Sequence, residues 1–151
     1  ALEASRIQEV FASNGFTGID LANFNSPGQI VISGPAAEIS ESLAPLKEAG
    51  AKLVVPLKVS GAFHSRMMEE PAHKFGEFLN DFSFLETSIP VYANVTAVPY
   101  PDSSSIPETL VSQIHSPVRW SDSILAMRSA GADSFQECGP GKVLTKLLRQ
   151  I

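Results

Sequence analysis

The chain has 151 residues, of which 44% are hydrophobic and 18% are charged, and its formal net charge is −5. These values are typical of one globular domain and exclude a disordered or fibrous chain. The negative charge argues against a broad nucleic-acid surface, because phosphate neutralisation needs clustered Lys and Arg. The single cysteine, Cys138, excludes an internal disulfide and a multi-cysteine metal site. No apolar run reaches ~20 residues and no secretory signal opens the chain, so we expect a cytoplasmic protein.

The first 60 residues predict the order helix, strand, strand, helix, strand. Helical periodicity covers residues 2–13, and Gly15 can end that helix. Strands over 19–25 and 29–34 are joined by the turn "SPG". A helix follows from Pro35 to Gly50, and "KLVVPLKVS", residues 52–60, is a further predicted strand. This order is the split βαβ pattern of a ferredoxin-like sandwich without its first strand.

The remaining residues continue the alternation of helices and strands. The pattern predicts helices over 68–82, 108–116, 120–131 and 142–151, and strands over 89–97 and 133–138. Strands that alternate with helices favour an α/β fold class.

His64 follows the predicted strand 52–60, in the segment "VSGAFHSRMM". Side chains just beyond a strand end often line a cleft in α/β folds. Imidazole titrates near neutrality, which permits acid–base catalysis without requiring it, so a histidine with no catalytic role stays an alternative. A metal site built from His64, Glu69, Glu70 and His73 fails on spacing, because paired helical ligands sit at i and i+4.

Two further segments invite a catalytic or binding interpretation. "GPGK", residues 139–142, departs from the phosphate-loop pattern, because Gln136 stands where glycine is required and Lys142 precedes Val143. A glycine turn that aims backbone amides at a ligand remains possible there, as does a plain tight turn. No G-x-S-x-G nucleophile elbow occurs, and closeness in sequence does not present the Ser60 or Ser65 hydroxyl to His64.

Four segments together resemble the carboxy-terminal half of malonyl-CoA:acyl-carrier-protein transacylases, to which polyketide synthase acyltransferase domains are related. They are "NFNSPGQIVISG", "VSGAFHSRMM", "QIHSPVRW" and "ECGPGKVLTKLL", in this order along nearly the whole chain. The resemblance implies that residues 1–58 form most of a ferredoxin-like small subdomain. It implies that residues 59–151 form the carboxy-terminal part of an α/β-hydrolase-like large subdomain, and that the active site lies between the two. No metal or resident cofactor is implied.

The chemistry implied by the resemblance is a two-step transfer of malonyl. An elbow serine takes malonyl from coenzyme A, and the phosphopantetheine thiol of acyl carrier protein then takes it from the serine. His64 matches the catalytic base, and Gln113 matches the residue whose backbone carbonyl holds the other ring nitrogen. Phe63 matches a position that disfavours methylmalonyl. The other matching substrate-side positions are Asn25 in the active-site gorge and Asn23, Lys52, Val59 and Val143 along the coenzyme A cleft.

The chain also departs from the family pattern. The family's G-Q-G-x-Q stretch, its G-H-S-x-G elbow and its malonyl-binding arginine have no counterpart in these residues. We therefore expect a portion of the enzyme that carries the base without the serine, is inactive alone, and has the missing amino-terminal portion as a partner. Malonyl-CoA and acyl carrier protein are the other expected partners, with Lys142, Lys146 and Arg149 as a candidate basic patch. Fatty acid synthesis is the leading role; a polyketide pathway and a non-catalytic module that binds coenzyme A or carrier protein stay as alternatives.

Overall fold

The computed structural model describes residues 2–151 and has the mixed α/β character predicted from the sequence. Its α-helices are α1 (Ala4–Asn14), α2 (Ala36–Glu48), α3 (Glu69–Leu79), α4 (Ile106–His115), α5 (Trp120–Ser129) and α6 (Val143–Leu148). Its strands are β1 (Asp20–Ser26) and β2 (Gln29–Ser33), and short 3-10 turns cover Arg66–Met68 and Ser103–Ser105. Among the described residues, no helix combines the length and the apolar character needed to cross a membrane.

The predicted hairpin is confirmed. β1 and β2 pair antiparallel, with Asp20 opposite Ser33 and Ser26 opposite Gln29. The connecting turn requires the left-handed backbone of Gly28 (φ 89°), which glycine adopts without steric cost. The core beside this hairpin is formed by Ile7, Val10, Phe11, Ile19 and Leu46. The apolar face predicted for the first helix therefore packs inward, as its 3.6-residue periodicity requires.

A second connection fixes β1 to the carboxy-terminal half of the chain. Val118 forms a parallel bridge with Asn23 of β1. The backbone N–H of Phe24 donates to the Val118 carbonyl, and the N–H of Val118 donates to the Ala22 carbonyl, both at 2.8 Å. Because α4 ends only three residues before Val118, this bridge also sets the position of the last turn of α4 beside β1.

Three predicted strands do not form. Residues 52–60, 89–97 and 133–138 have no ladder within the described part of the chain, apart from an isolated bridge between Tyr92 and Pro99. The physical reason is that a strand depends on hydrogen bonds to a neighbour, whereas alternating hydrophobic residues supply only a local preference. Burial does not hold the segment 52–60 as a strand either, because Leu53, Val55, Leu57 and Val59 are 80%, 58%, 61% and 65% exposed.

The helix predictions are correct in position and differ at their ends. The last helix was predicted over 142–151 and ends earlier, at Leu148. Pro45 lies inside α2 without ending it, and the helix continues to Glu48 before Gly50 adopts a positive φ of 106°. Gly15 ends α1 in the left-handed conformation, as predicted.

Candidate active site

His64 lies in a turn with an uncommon backbone conformation. Its φ is 58°, in the left-handed region, and its N–H donates to the Ile114 carbonyl at 3.2 Å. Histidine enters this region more readily than most residues, although a side chain still makes it unfavourable. Such a conformation persists only where the surrounding structure fixes it, and backbone outliers of this kind are concentrated at functional sites.

The ring of His64 is held through one nitrogen. Nδ1 lies 2.8 Å from the backbone carbonyl oxygen of Gln113. Because a carbonyl oxygen can only accept a hydrogen bond, the neutral ring carries its proton on Nδ1 and leaves the lone pair on Nε2. The ring is therefore set to accept a proton at Nε2.

The end of α4 explains why these acceptors are available. The carbonyls of the last helical turn have no intrahelical partner, and the carbonyls of Gln113 and Ile114 are both used by His64. The partial negative charge of a helix carboxy terminus also stabilises an imidazolium. The Gln113 side chain is held in turn, because its Oε1 accepts from the Asn94 N–H at 2.7 Å. Burial raises the pKa of Tyr100, and a hydrogen bond with Gln113 acts in the opposite direction.

His64 lines a mainly apolar cleft of about 1060 Å³. Four of the predicted substrate-side residues line the same cleft: Asn23, Lys52, Val59 and Phe63. Asn25 and Val143 are not among its lining residues; Asn25 is half-buried in β1 and Val143 begins α6 with 67% exposure. The structure thus brings four of these six residues to one surface with His64, and the roles of all six stay predictions.

Ser65 is fully occupied by the turn that carries His64. The residue is 0% exposed, and its hydroxyl donates to the Ala62 carbonyl at 2.6 Å. The same oxygen accepts from the N–H of Met67 at 3.3 Å. Ser65 is therefore a capping residue of the 3-10 turn and not a nucleophile beside His64.

The amides that follow "GPGK" are not free to bind an anion. The Glu137 carboxylate accepts from the N–H groups of Leu144 and Thr145, at 3.1 and 2.9 Å, and from the Thr145 hydroxyl at 2.7 Å. The Thr145 hydrogen bonds lower the pKa of Glu137, so it stays ionised at neutral pH. Gly139 and Gly141 have positive φ values of 138° and 97°. They form a tight turn, which was one of the two alternatives kept from the sequence.

The side chains considered for a metal site are directed elsewhere. Glu70 pairs with Lys74 at 2.6 Å, and the His73 ring lies 3.6 Å from Glu77. Within residues 2–151, no three His, Cys, Asp or Glu side chains are grouped so that they could hold a metal ion.

Comparison with known proteins identifies the chain's relatives. No protein-family model matches it. A polyketide biosynthesis malonyl CoA-acyl carrier protein transacylase of Bacillus velezensis is 43% identical over 153 residues, covering 99% of this chain and 52% of the relative. The malonyl-CoA:acyl carrier protein transacylase FabD of Xanthomonas oryzae superposes with a TM-score of 0.93 at 40% identity, covering 99% of this chain and 48% of that one. This chain is a homologue of the malonyl-CoA–acyl carrier protein transacylases.

The resemblance predicted from four sequence segments is therefore confirmed. A malonyl-transacylase solved in complex with a type II polyketide synthase acyl carrier protein gives a TM-score of 0.94 at 32% identity, over 99% of this chain and 49% of that chain. The chain thus spans about half the length of these three transacylases. It corresponds to their carboxy-terminal portion.

Proposed function

We propose that this chain supplies the general base of a malonyl-CoA–acyl carrier protein transacylase. The observation that carries the proposal is the 2.8 Å contact between His64 Nδ1 and the Gln113 carbonyl, which leaves Nε2 to accept a proton. The ring also lines the cleft that holds Asn23, Lys52 and Phe63. The names of the relatives supply the reaction, which is malonyl transfer between coenzyme A and acyl carrier protein.

In the proposed mechanism, His64 moves one proton in each half-reaction. A serine from the remaining portion of the enzyme gives its proton to Nε2 as its oxygen attacks the malonyl thioester carbonyl. The new C–O bond forms, the C–S bond breaks, and the imidazolium returns the proton to the coenzyme A sulfur. The carrier protein's thiol then repeats the sequence in reverse, and the serine regains its proton. A neutral carbonyl is enough to fix the tautomer of His64. A carboxylate partner is not needed to support the imidazolium, because a thiol of pKa ~8.5 leaves far more readily than an amine.

The exposed apolar residues indicate where the remaining portion of the enzyme contacts this chain. Leu53, Leu57, Leu85 and Ile89 are 80%, 61%, 84% and 70% exposed, and they lie in segments without ladder partners. Apolar surface of this extent marks an interface. As the family resemblance implies, we assign residues 1–58 to most of a ferredoxin-like small subdomain and residues 59–151 to part of an α/β-hydrolase-like large subdomain, both completed by the remaining portion.

The acyl carrier protein is the proposed acceptor of malonyl. Lys142 just before α6, Lys146 within it and Arg149 just after it are all exposed, and they offer positive charge to an acidic partner. Fatty acid synthesis is the proposed pathway. Polyketide biosynthesis is a specific second candidate, because it appears in the name of the Bacillus velezensis relative. Coenzyme A and phosphopantetheine enter as substrate carriers, and a cytoplasmic location stays a prediction from the sequence.

The proposed function is tested with the natural polypeptide that carries these residues. It is incubated with malonyl-CoA and a phosphopantetheine-bearing acyl carrier protein, and the mass of the carrier protein is followed. We expect the carrier protein to gain one malonyl group. Binding of coenzyme A without any malonyl transfer would instead support the non-catalytic binding module. Rates with carrier proteins of fatty acid and polyketide pathways, compared at equal concentration, distinguish the two candidate pathways.

A further inference from the structure

Asp20, the first residue of β1, is joined to the turn that carries His64. The backbone N–H of Arg66 donates to Asp20 Oδ2 at 2.9 Å, and the Arg66 Nε lies 3.0 Å from both carboxylate oxygens. The Nη2 of Arg66 donates to Oδ1 as well. The Asp20 side chain is only 21% exposed, whereas that of Arg66 is 58% exposed. These hydrogen bonds from the guanidinium lower the pKa of Asp20, so the carboxylate is ionised at neutral pH.

This ion pair differs from the others in the described part of the chain. The pairs Arg6–Glu9, Lys74–Glu70 and Arg119–Asp122 each join residues three or four positions apart, with both side chains exposed. Asp20 and Arg66 are 46 positions apart and connect a strand to a turn. A bidentate contact that also engages a backbone N–H fixes geometry more tightly than an exposed pair within one helix.

The turn needs such an anchor because of the backbone at His64. His64 itself is tied to the end of α4 through Ile114 and Gln113, and its left-handed φ of 58° must be held from both sides. Side chains do not pack tightly around this turn, since Asp20, His64 and Arg66 line an open cavity of about 390 Å³. The polar contacts therefore fix the turn where apolar packing is missing.

We propose that Asp20 is a positioning residue for His64, acting through Arg66 to hold the turn that aims the ring at Gln113 and at the cleft. This inference rests on the proposed function, in which His64 is the general base. Asp20 touches neither the substrate nor the reacting atoms in this role.

The kinetic test uses the natural polypeptide that carries these residues, with malonyl-CoA and acyl carrier protein. We expect Asp20→Ala to lower kcat about 10-fold and to change KM by less than about 2-fold, because a misdirected base affects the chemical step and not ground-state binding. Arg66→Gln keeps the backbone hydrogen bond to Asp20 and should lose less. Asp20→Glu retains the charge and should recover most of the rate. The matched control is Glu70→Ala, which removes an exposed ion pair from α3 and should leave kcat unchanged.

A spectroscopic arm separates this proposal from the proposed function. The ¹⁵N chemical shifts of the His64 ring report which nitrogen carries the proton, whether or not malonyl is transferred. We expect Asp20→Ala to raise the share of the Nε2–H tautomer, because the contact with Gln113 loosens. If the wild-type protein transfers no malonyl, the proposed function fails and the ring spectra still decide the role of Asp20.

An unchanged ring spectrum in Asp20→Ala, or an unchanged kcat with a raised KM, would overturn the positioning role. If Asp20→Ala does not fold by circular dichroism, Arg66→Gln carries the same two readouts, with the smaller expected effect.

Discussion

Replacing His64 with alanine is expected to slow the acylation of the complete enzyme by malonyl-CoA about a thousandfold. Alanine cannot take the proton of the attacking serine hydroxyl, so the nucleophile stays in its weakly reactive neutral form. The rate is measured in a single turnover, by following the mass of the protein after mixing with excess malonyl-CoA. The variant should bind coenzyme A with nearly the affinity of the wild type, because the loss is in the chemical step.

The control for this prediction is His73→Ala. His73 lies on α3 with 77% of its side chain exposed, and it meets Glu77 at 3.6 Å. The same chemical change there should leave the acylation rate within about 2-fold of wild type, as for surface substitutions in general. Equal rates in the wild type and in His64→Ala would remove His64 from the mechanism.

Replacing Phe63 with serine is expected to reduce the preference for malonyl over methylmalonyl by tens of fold. Phe63 lines the cleft next to His64 and is 48% exposed, and the proposed role places it beside the acyl group of the substrate. Exclusion of one methyl group by a side chain contributes about 1 to 3 kcal/mol to selectivity, and serine leaves room for that methyl. The measurement is the ratio of kcat/KM values for malonyl-CoA and methylmalonyl-CoA in the same enzyme.

Phe78→Ser is the matched control for this substitution. Phe78 is 57% exposed on α3, outside the cleft, and its ring lies 4.9 Å from that of Phe82. The change removes the same atoms from a residue that does not line the cleft, so selectivity should be unaffected. If Phe63→Ser retains the wild-type ratio, the steric role of Phe63 is wrong.

The helices and the hairpin could be predicted because their causes are local. The helical periodicity of residues 2–13 depends on Ile7, Val10 and Phe11, which recur on one face of α1 and lie in the core. "SPG" specified the turn between β1 and β2 in the same way, through a glycine with positive φ. The prediction of strands over 52–60, 89–97 and 133–138 was wrong, because a strand needs hydrogen bonds to a neighbouring strand and no local sequence pattern shows whether that neighbour is present.

The same distinction between local patterns and contacts of distant residues applies to the candidate site. His64 was a candidate from its place after a predicted strand, but its link to Gln113 was found only through the family resemblance, since 49 positions separate the two residues and no spacing rule connects them. Asp20 and Arg66 were missed. The one available signal was a carboxylate opening an apolar strand, which gives no indication of its partner. The two alternatives left open for "GPGK" could not be decided from the sequence, because no local pattern shows that the Glu137 carboxylate accepts from the N–H groups of Leu144 and Thr145.

The central claim is that His64 presents an unprotonated Nε2 to the cleft because Nδ1 donates to Gln113. The ¹⁵N chemical shifts of the neutral His64 ring in the wild-type protein measure this directly, with His73 and His115 as internal references. The account predicts a protonated Nδ1 and an unprotonated Nε2. A ring that carries its proton on Nε2 would contradict it, since that nitrogen could then accept no proton from a serine.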